Sequence, residues 1–174
     1  MLSKIMPLSR IVMVMAVAAL VIGIVFIAMG VSKGNWIQNQ MAAEKVPASI
    51  GGGNATGYID SAATAQAAAD KIKEHRHRIA ATYSELLSYA GGRYDPTNTN
   101  PYPPDPTKTI GQQMLSYTQA LNMENYLYMG VFALNFTQVV TVIGVFMILV
   151  GIALMAVWAA IRKRKAAEVK VKSP

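Results

Sequence analysis

The chain has 174 residues, 53% of them hydrophobic, a formal charge of +7 and no cysteine. The lack of thiols excludes a disulfide framework, a thiolate nucleophile, Cys-ligated zinc and a lipoprotein anchor. The charge excess is confined to two short flanks, Lys4 and Arg10 at one end and Arg162, Lys163, Arg164, Lys165, Lys170 and Lys172 against Glu168 at the other. Basic residues beside apolar runs are an orientation signal and contact anionic lipid headgroups, so membrane lipids rather than nucleic acid are the expected partners.

Taken in chain order, residues 1–10 read as a cytoplasmic N-terminus and Ile11–Val31 as transmembrane helix 1, since an uncharged run of that length spans about 30 Å when helical. Pro7 suits a first helical turn. A secretory signal also starts basic and turns apolar, and Ala28-Met29-Gly30 would serve as its cleavage site. The run nevertheless exceeds the roughly 7–15 residues of a signal core, so an uncleaved anchor is expected. Trp36 falls where a membrane-interface anchor belongs.

Residues 32–130 contain eight basic and eight acidic residues, and this neutral stretch is expected outside the membrane. The first helix can extend in water to about Lys45, before Pro47 and Gly51-Gly52-Gly53 end it. Asn54-Ala55-Thr56 matches a glycosylation acceptor. Asp60 or Ser61 can cap a helix over 61–90. Its apolar stripe is Ala65, Ala68, Ile72, His75, Ile79, Thr82 and Leu86, and its other sides carry Asp70, Lys71, Lys73, Glu74, Arg76, His77, Arg78 and Glu85. Gly91-Gly92 closes it. Five prolines in the Pro-rich loop 93–108 predict a stiff extended connector with neither helix nor sheet ladder, and a polyproline docking site is the lesser alternative.

From Thr109 a helix is predicted through to the basic tail, with a bend near Gly130 or Asn135. Its first part, to Tyr128, is polar and projects beyond the bilayer. Residues 131–161 form transmembrane helix 2, with Tyr126, Tyr128 and Phe132 at the outer interface and Trp158, Arg162, Lys163, Arg164 and Lys165 as inner anchors. Residues 162–174 form a basic cytoplasmic tail.

Small residues recur at a step of seven within both spans: Ala16, Gly23 and Gly30 on the first, and Gly130, Thr137, Gly144 and Gly151 on the second. Seven is close to two helical turns, so each set lines one stripe where another backbone can approach. The stripes are expected to form a seam with each other, or alternatively with another protein. Asn135, Gln138 and Thr141 form a polar patch in the outer half of the second span. With Tyr126 and Tyr128 they are candidate partner contacts, unless they lie at headgroup level.

No nucleophile elbow, phosphate loop, dinucleotide fingerprint or zinc-protease helix occurs. Glu74-His75-Arg76-His77 is the only ligand-like cluster. Asp70, Glu74 and His77 share a face, but a dinuclear carboxylate site needs a second Glu-x-x-His motif. His75 reads as a packed histidine and His77 as a solvated one. No catalytic residue, metal or cofactor is expected, and the spans hold no charge or histidine for a proton relay or haem.

Trp36, Glu44-Lys45-Val46 before a Gly-rich turn, Ala63-Thr64-Ala65-Gln66-Ala67 leading to Ile72 and His75, Thr82-Tyr83-Ser84-Glu85-Leu86 and the long last helix together resemble a group of uncharacterised actinobacterial and related two-span membrane proteins. That group often carries the label aromatic ring-opening dioxygenase, for which no residue here gives support. The loop 93–108 is longer than the group leads one to expect. The resemblance implies a small membrane protein.

The expected fold is thus an all-α membrane protein, a two-transmembrane-helix antiparallel hairpin with a small helical extracytoplasmic subdomain. It is placed in the plasma (inner) membrane with both termini cytoplasmic. The expected function is non-enzymatic, an accessory or assembly subunit docking on a larger membrane-protein complex. A self-associating homo-oligomer or envelope scaffold, and a receptor for an outer ligand, are the alternatives.

Overall fold

The computed structural model describes residues 8–50 and 56–172, with side chains described as far as Arg164. Lys4, Pro7, the triple glycine, Asn54-Ala55 of the glycosylation motif and the Lys165 side chain lie outside these limits. Six elements follow in order: α1 Leu8–Ala43, α2 Ala62–Ile79, α3 Tyr83–Ser88, β1 Pro101–Tyr102, β2 Asp105–Thr109 and α4 Ile110–Lys172. The chain divides into two compact units, one of residues 1–35 and 136–174 and the other of residues 36–135.

In the first unit, α1 and α4 are long and apolar enough to cross a membrane. Only 17% and 11% of their most apolar windows are buried, unlike the covered core helix of a soluble protein. Val14, Ile24, Val142 and Phe146 are all at least 60% exposed, so the bulky side chains point away from the protein while Ala16, Gly23 and Gly30 are buried. This inverts the soluble pattern, as expected when lipid rather than water is the surrounding solvent. The α4 helix is assigned without a break through Gly130 and Asn135.

The 36–135 unit is built differently. Helix α1 ends at Ala43, and Lys45 takes a left-handed backbone with φ 49°. The next turn is pinned to the chain that returns after the glycines by Ala48 N–H donating to the Gly57 carbonyl and Ile59 N–H to that of Val46, each at 2.9 Å. Ala48, Ile59, Ala65 and Ala68 are buried there against Met41, Val46, Leu127 and Val131. Ser61 caps α2 reciprocally: its hydroxyl accepts from Thr64 N–H, and Thr64 Oγ1 accepts from Ser61 N–H. That satisfies donors which a helix start otherwise leaves to water.

Two expectations fail here. The helix predicted over 61–90 is two helices, because Ala80 is extended at φ −153°, ψ 144° and Thr82 starts a new one. Glu85 N–H donates to Thr82 Oγ1 at 3.1 Å, and the Glu85 carboxylate reaches back to Ala81 N–H at 2.9 Å. Thr82-Tyr83-Ser84-Glu85 is therefore a start signal rather than a continuation. The Pro-rich loop, in turn, does contain a ladder: β1 pairs antiparallel with β2, Tyr102 opposite Asp105. An isolated two-stranded ribbon has two free edges, so Pro106 can sit in it without breaking a central hydrogen bond.

This ribbon delivers Tyr102 into a second core with Ala80, Leu86, Ile110, Met114 and Tyr117. The Tyr102 hydroxyl donates to the Ile79 carbonyl at the end of α2, and its ring meets that of Tyr89 edge-on at 5.2 Å. Thr109 and Gln112 cap α4 reciprocally, each side chain accepting from the other's N–H. Gly111 is obligatory at that start, since a Cβ would overlap the Pro96 carbonyl.

Candidate functional site

Three groupings could carry function: the small-residue stripes, a buried ion pair, and an open polar cleft.

The stripes meet. A Cβ on Gly23 would stand 2.7 Å from the Gly144 carbonyl oxygen, and one on Gly144 would stand 2.8 Å from that of Gly23. A Cβ on Gly151 would reach 2.6 Å from Leu20 Cγ and 3.1 Å from the Ala16 oxygen, and one on Gly30 would strike the Thr137 carbonyl and Thr141 Oγ1. Such backbone-to-backbone approach leaves no room for a side chain and allows weak Cα–H···O contacts. Gly34 continues the stripe against Thr137, a position the step of seven alone did not single out. Gly130 is the looser member, its added Cβ meeting only the flexible end of Met41 at 3.4 Å.

The candidate partner contacts do not stay together. Asn135 and Gln138 are exposed, but Thr141 turns into the seam beside Gly30 and donates its hydroxyl to the Thr137 carbonyl at 2.9 Å. Tyr126 is 72% exposed, whereas Tyr128 gives its hydroxyl to the Asp70 carboxylate at 2.6 Å. That hydrogen bond, with partial burial second, pushes the Tyr128 phenol up to about 12. The same bond, followed by one from Gln66, holds Asp70 below the usual carboxylate range. Of the anchors, Trp36 is exposed, and Trp158 lies under the Arg162 guanidinium at 5.0 Å, with Lys163 and Arg164 exposed.

On α2 the structure reverses two sequence assignments. His75, expected on the apolar stripe, is exposed, and Arg76, expected in water, is 8% exposed. The reason is a partner the local pattern does not contain. Arg76 Nε donates to Glu124 Oε2 at 2.8 Å, Nη1 donates to the Tyr117 hydroxyl, and the guanidinium carbon lies 4.9 Å from the Tyr117 ring centre. Burial works against the guanidinium charge, but the Glu124 hydrogen bond and the Tyr117 and Glu124 fields outweigh it, so its pKa is raised. Tyr117, Glu124 and Tyr128 share one side of α4, at steps of seven and four. Together they receive α2 through Arg76 and Asp70. Sequence reasoning missed this pair; the signal was Ala65, Ala68, Ala69, Ile72 and Arg76 at three- and four-residue steps on a helix whose mate carries one acidic residue, Glu124, between residues 110 and 135.

The third grouping is an open cleft of about 720 Å³ lined by the C-terminal turns of α2 (His75, Arg76, Arg78, Ile79), the ribbon (Tyr102, Pro104, Asp105, Lys108) and α4 (Gln112, Gln113, Ser116, Ala120). Arg78 bridges to Glu74 at 2.6 Å and Lys108 to Asp105 at 3.3 Å. Hydrogen bonds from Lys71, then Arg78, pull the Glu74 carboxyl down to about 2. Glu74 is thereby committed to ion pairs, and among the described residues no group of three His, Asp or Glu could hold a metal ion.

No family model, curated protein or solved structure matches this chain.

Proposed function

We propose that the protein is an accessory subunit of a larger membrane complex, an antiparallel two-span hairpin whose unit of residues 36–135 lies outside and recognises another protein. The observation that carries this reading is the pairing of lipid-suited exposure with a seam of glycines. Bulky apolar side chains face outward along both long helices while Gly23 and Gly144 meet backbone to backbone. Contacts that pair Gly23 with Gly144 and Gly151 with Ala16 and Leu20 fit a hairpin, and the flanking charge fits cytoplasmic termini in the inner membrane.

The balanced outer unit supports recognition rather than anchoring. Its core uses a buried Arg–Glu pair and several tyrosines to fix α2 against α4, which makes a rigid presenting surface with Tyr126 and Asn135 exposed. A homo-oligomer built through the same glycine stripes is disfavoured, because those stripes are already filled within one chain. Purification in mild detergent followed by native mass measurement tests the proposal. A stable complex with a second, different membrane protein is the expected result. A homogeneous monomer, or a homo-oligomer alone, would contradict it.

A further inference from the structure

We infer that the cleft between α2, the β1–β2 ribbon and α4 is a binding site for a small amphipathic anion, an oxyanion head group on a short apolar body. The site lies wholly within residues 75–120, so it stands or falls independently of any docking through the membrane helices.

Its lining includes a polar group that the protein's own contacts leave open. Gln113 is 5% exposed, yet its side-chain amide makes no hydrogen bond to another described residue and lines the cleft. A buried amide has two donors and an acceptor to satisfy, and leaving them unmet is costly. No buried side-chain polar atom is sealed off without a partner among the described residues, so the Gln113 amide reaches open space in the cleft. Arg76, 8% exposed and already paired with Glu124, and Ser116 also line the cleft.

The sign of the ligand follows from the lining. Arg76, Arg78 and Lys108 are cationic and Asp105 is the sole acidic lining residue, whereas the carboxylates that balance Arg76 and Arg78 belong to Glu124 and Glu74, which are not in the lining. Each of the three cations is ion-paired at rest, but Arg78 and Lys108 are exposed enough to swing from their surface ion pairs at little cost and to offer their charge to an anion in the cleft. The ligand's second half follows from Ile79, Tyr102, Pro104 and Ala120, which supply an apolar wall. Concave shape, a few convergent polar groups and a volume within the usual ligand range complete the case. A lipid headgroup and a free organic acid share this chemistry. The cleft residues of α4 end at Ala120, roughly 16 Å of helix before Val131, which favours a soluble acid.

Titration of the full chain in detergent with hexanoate, hexyl phosphate, inorganic phosphate and hexanamide, followed by calorimetry, tests this. Saturable binding of hexanoate or hexyl phosphate, with hexanamide at least about tenfold weaker, is expected, since a hydrogen bond to a charged group is worth about that factor or more. Inorganic phosphate should bind more weakly than hexyl phosphate for lack of the apolar body. Arg78→Ala and Lys108→Ala, both exposed, should each weaken hexanoate severalfold without changing the helical circular dichroism, and Gln113→Leu should weaken it further. Vesicles of anionic lipid should compete with hexanoate no better than neutral ones. No saturable binding by either hexyl anion, equal binding of hexanamide, or unchanged affinity in the Arg78→Ala/Lys108→Ala double variant would overturn the site; competition by anionic vesicles alone would overturn the soluble-acid source.

Discussion

The two units of this molecule hold their helices together by opposite means. In the unit of residues 1–35 and 136–174 the contact is made where side chains are missing: glycine faces glycine, and the large residues look outward. In the 36–135 unit it is made by large and charged side chains, with Arg76, Tyr117 and Glu124 linked in the interior and Tyr128 tied to Asp70. The same helix, α4, serves both schemes along its length. In lipid no apolar surface gains by leaving the solvent, so close dispersion contact is what remains. In water, burial of apolar surface supplies the drive, and polar pairs then fix which helix faces meet.

The contrast can be broken from either side. Glu124→Ala should have the largest effect, destabilising the 36–135 unit by about 3–5 kcal/mol, because it leaves the Arg76 charge buried without its partner. Chemical unfolding followed by tyrosine fluorescence reads this. The double variant Arg76→Met with Glu124→Leu should recover most of the loss; a double variant as unstable as the single one would show that the charge itself is not what matters. Gly144→Leu comes next, at about 1–3 kcal/mol for overpacking, since the new side chain must displace the Gly23 backbone. It should act on the apolar helices while the unfolding midpoint of the 36–135 unit stays put. A shift of that midpoint as large as that from Glu124→Ala would erase the contrast.

Tyr128→Phe should be mildest, about 1 kcal/mol, since one hydrogen bond to a carboxylate is lost and solvent exposure of Asp70 weakens it. The pH dependence sharpens it. A phenol whose folded pKa is raised from about 10 to about 12 stabilises the fold fully below pH 10, and that contribution is lost as pH rises through 12. The wild-type protein should thus lose this increment across that window and Tyr128→Phe should not, as a pair of alkaline stability curves would register.

How much was legible follows from where the information lies. The two long apolar helices, the cap at Ser61 and the cap at Thr109 are local patterns, and the residues announce them. The seven-residue stripes were readable too, because small side chains are informative when nothing else varies. The α2 stripe was not, since its continuation at Arg76 rather than His75 depends on Glu124 and Tyr117, more than 40 residues away. Prolines misled in a different way: they forbid central strands but permit a two-stranded ribbon, and that ribbon supplies one wall of the cleft. The break at Ala80 was announced by Thr82 and Glu85, whose capping signal was masked by the strongly helical composition around it.

The central claim, that both apolar helices of one chain meet at their small residues, is open to a direct measurement because the chain has no native cysteine. In Leu20→Cys with Gly151→Cys, a Cβ at position 151 lies 2.6 Å from the present Leu20 Cγ, which replacement of Leu20 removes, so the two new side chains are neighbours. Oxidation in native membranes should give an intramolecular disulfide, visible as a mobility shift of the monomer that reducing agent reverses. A covalent dimer in its place, or no crosslink at all, would contradict the account.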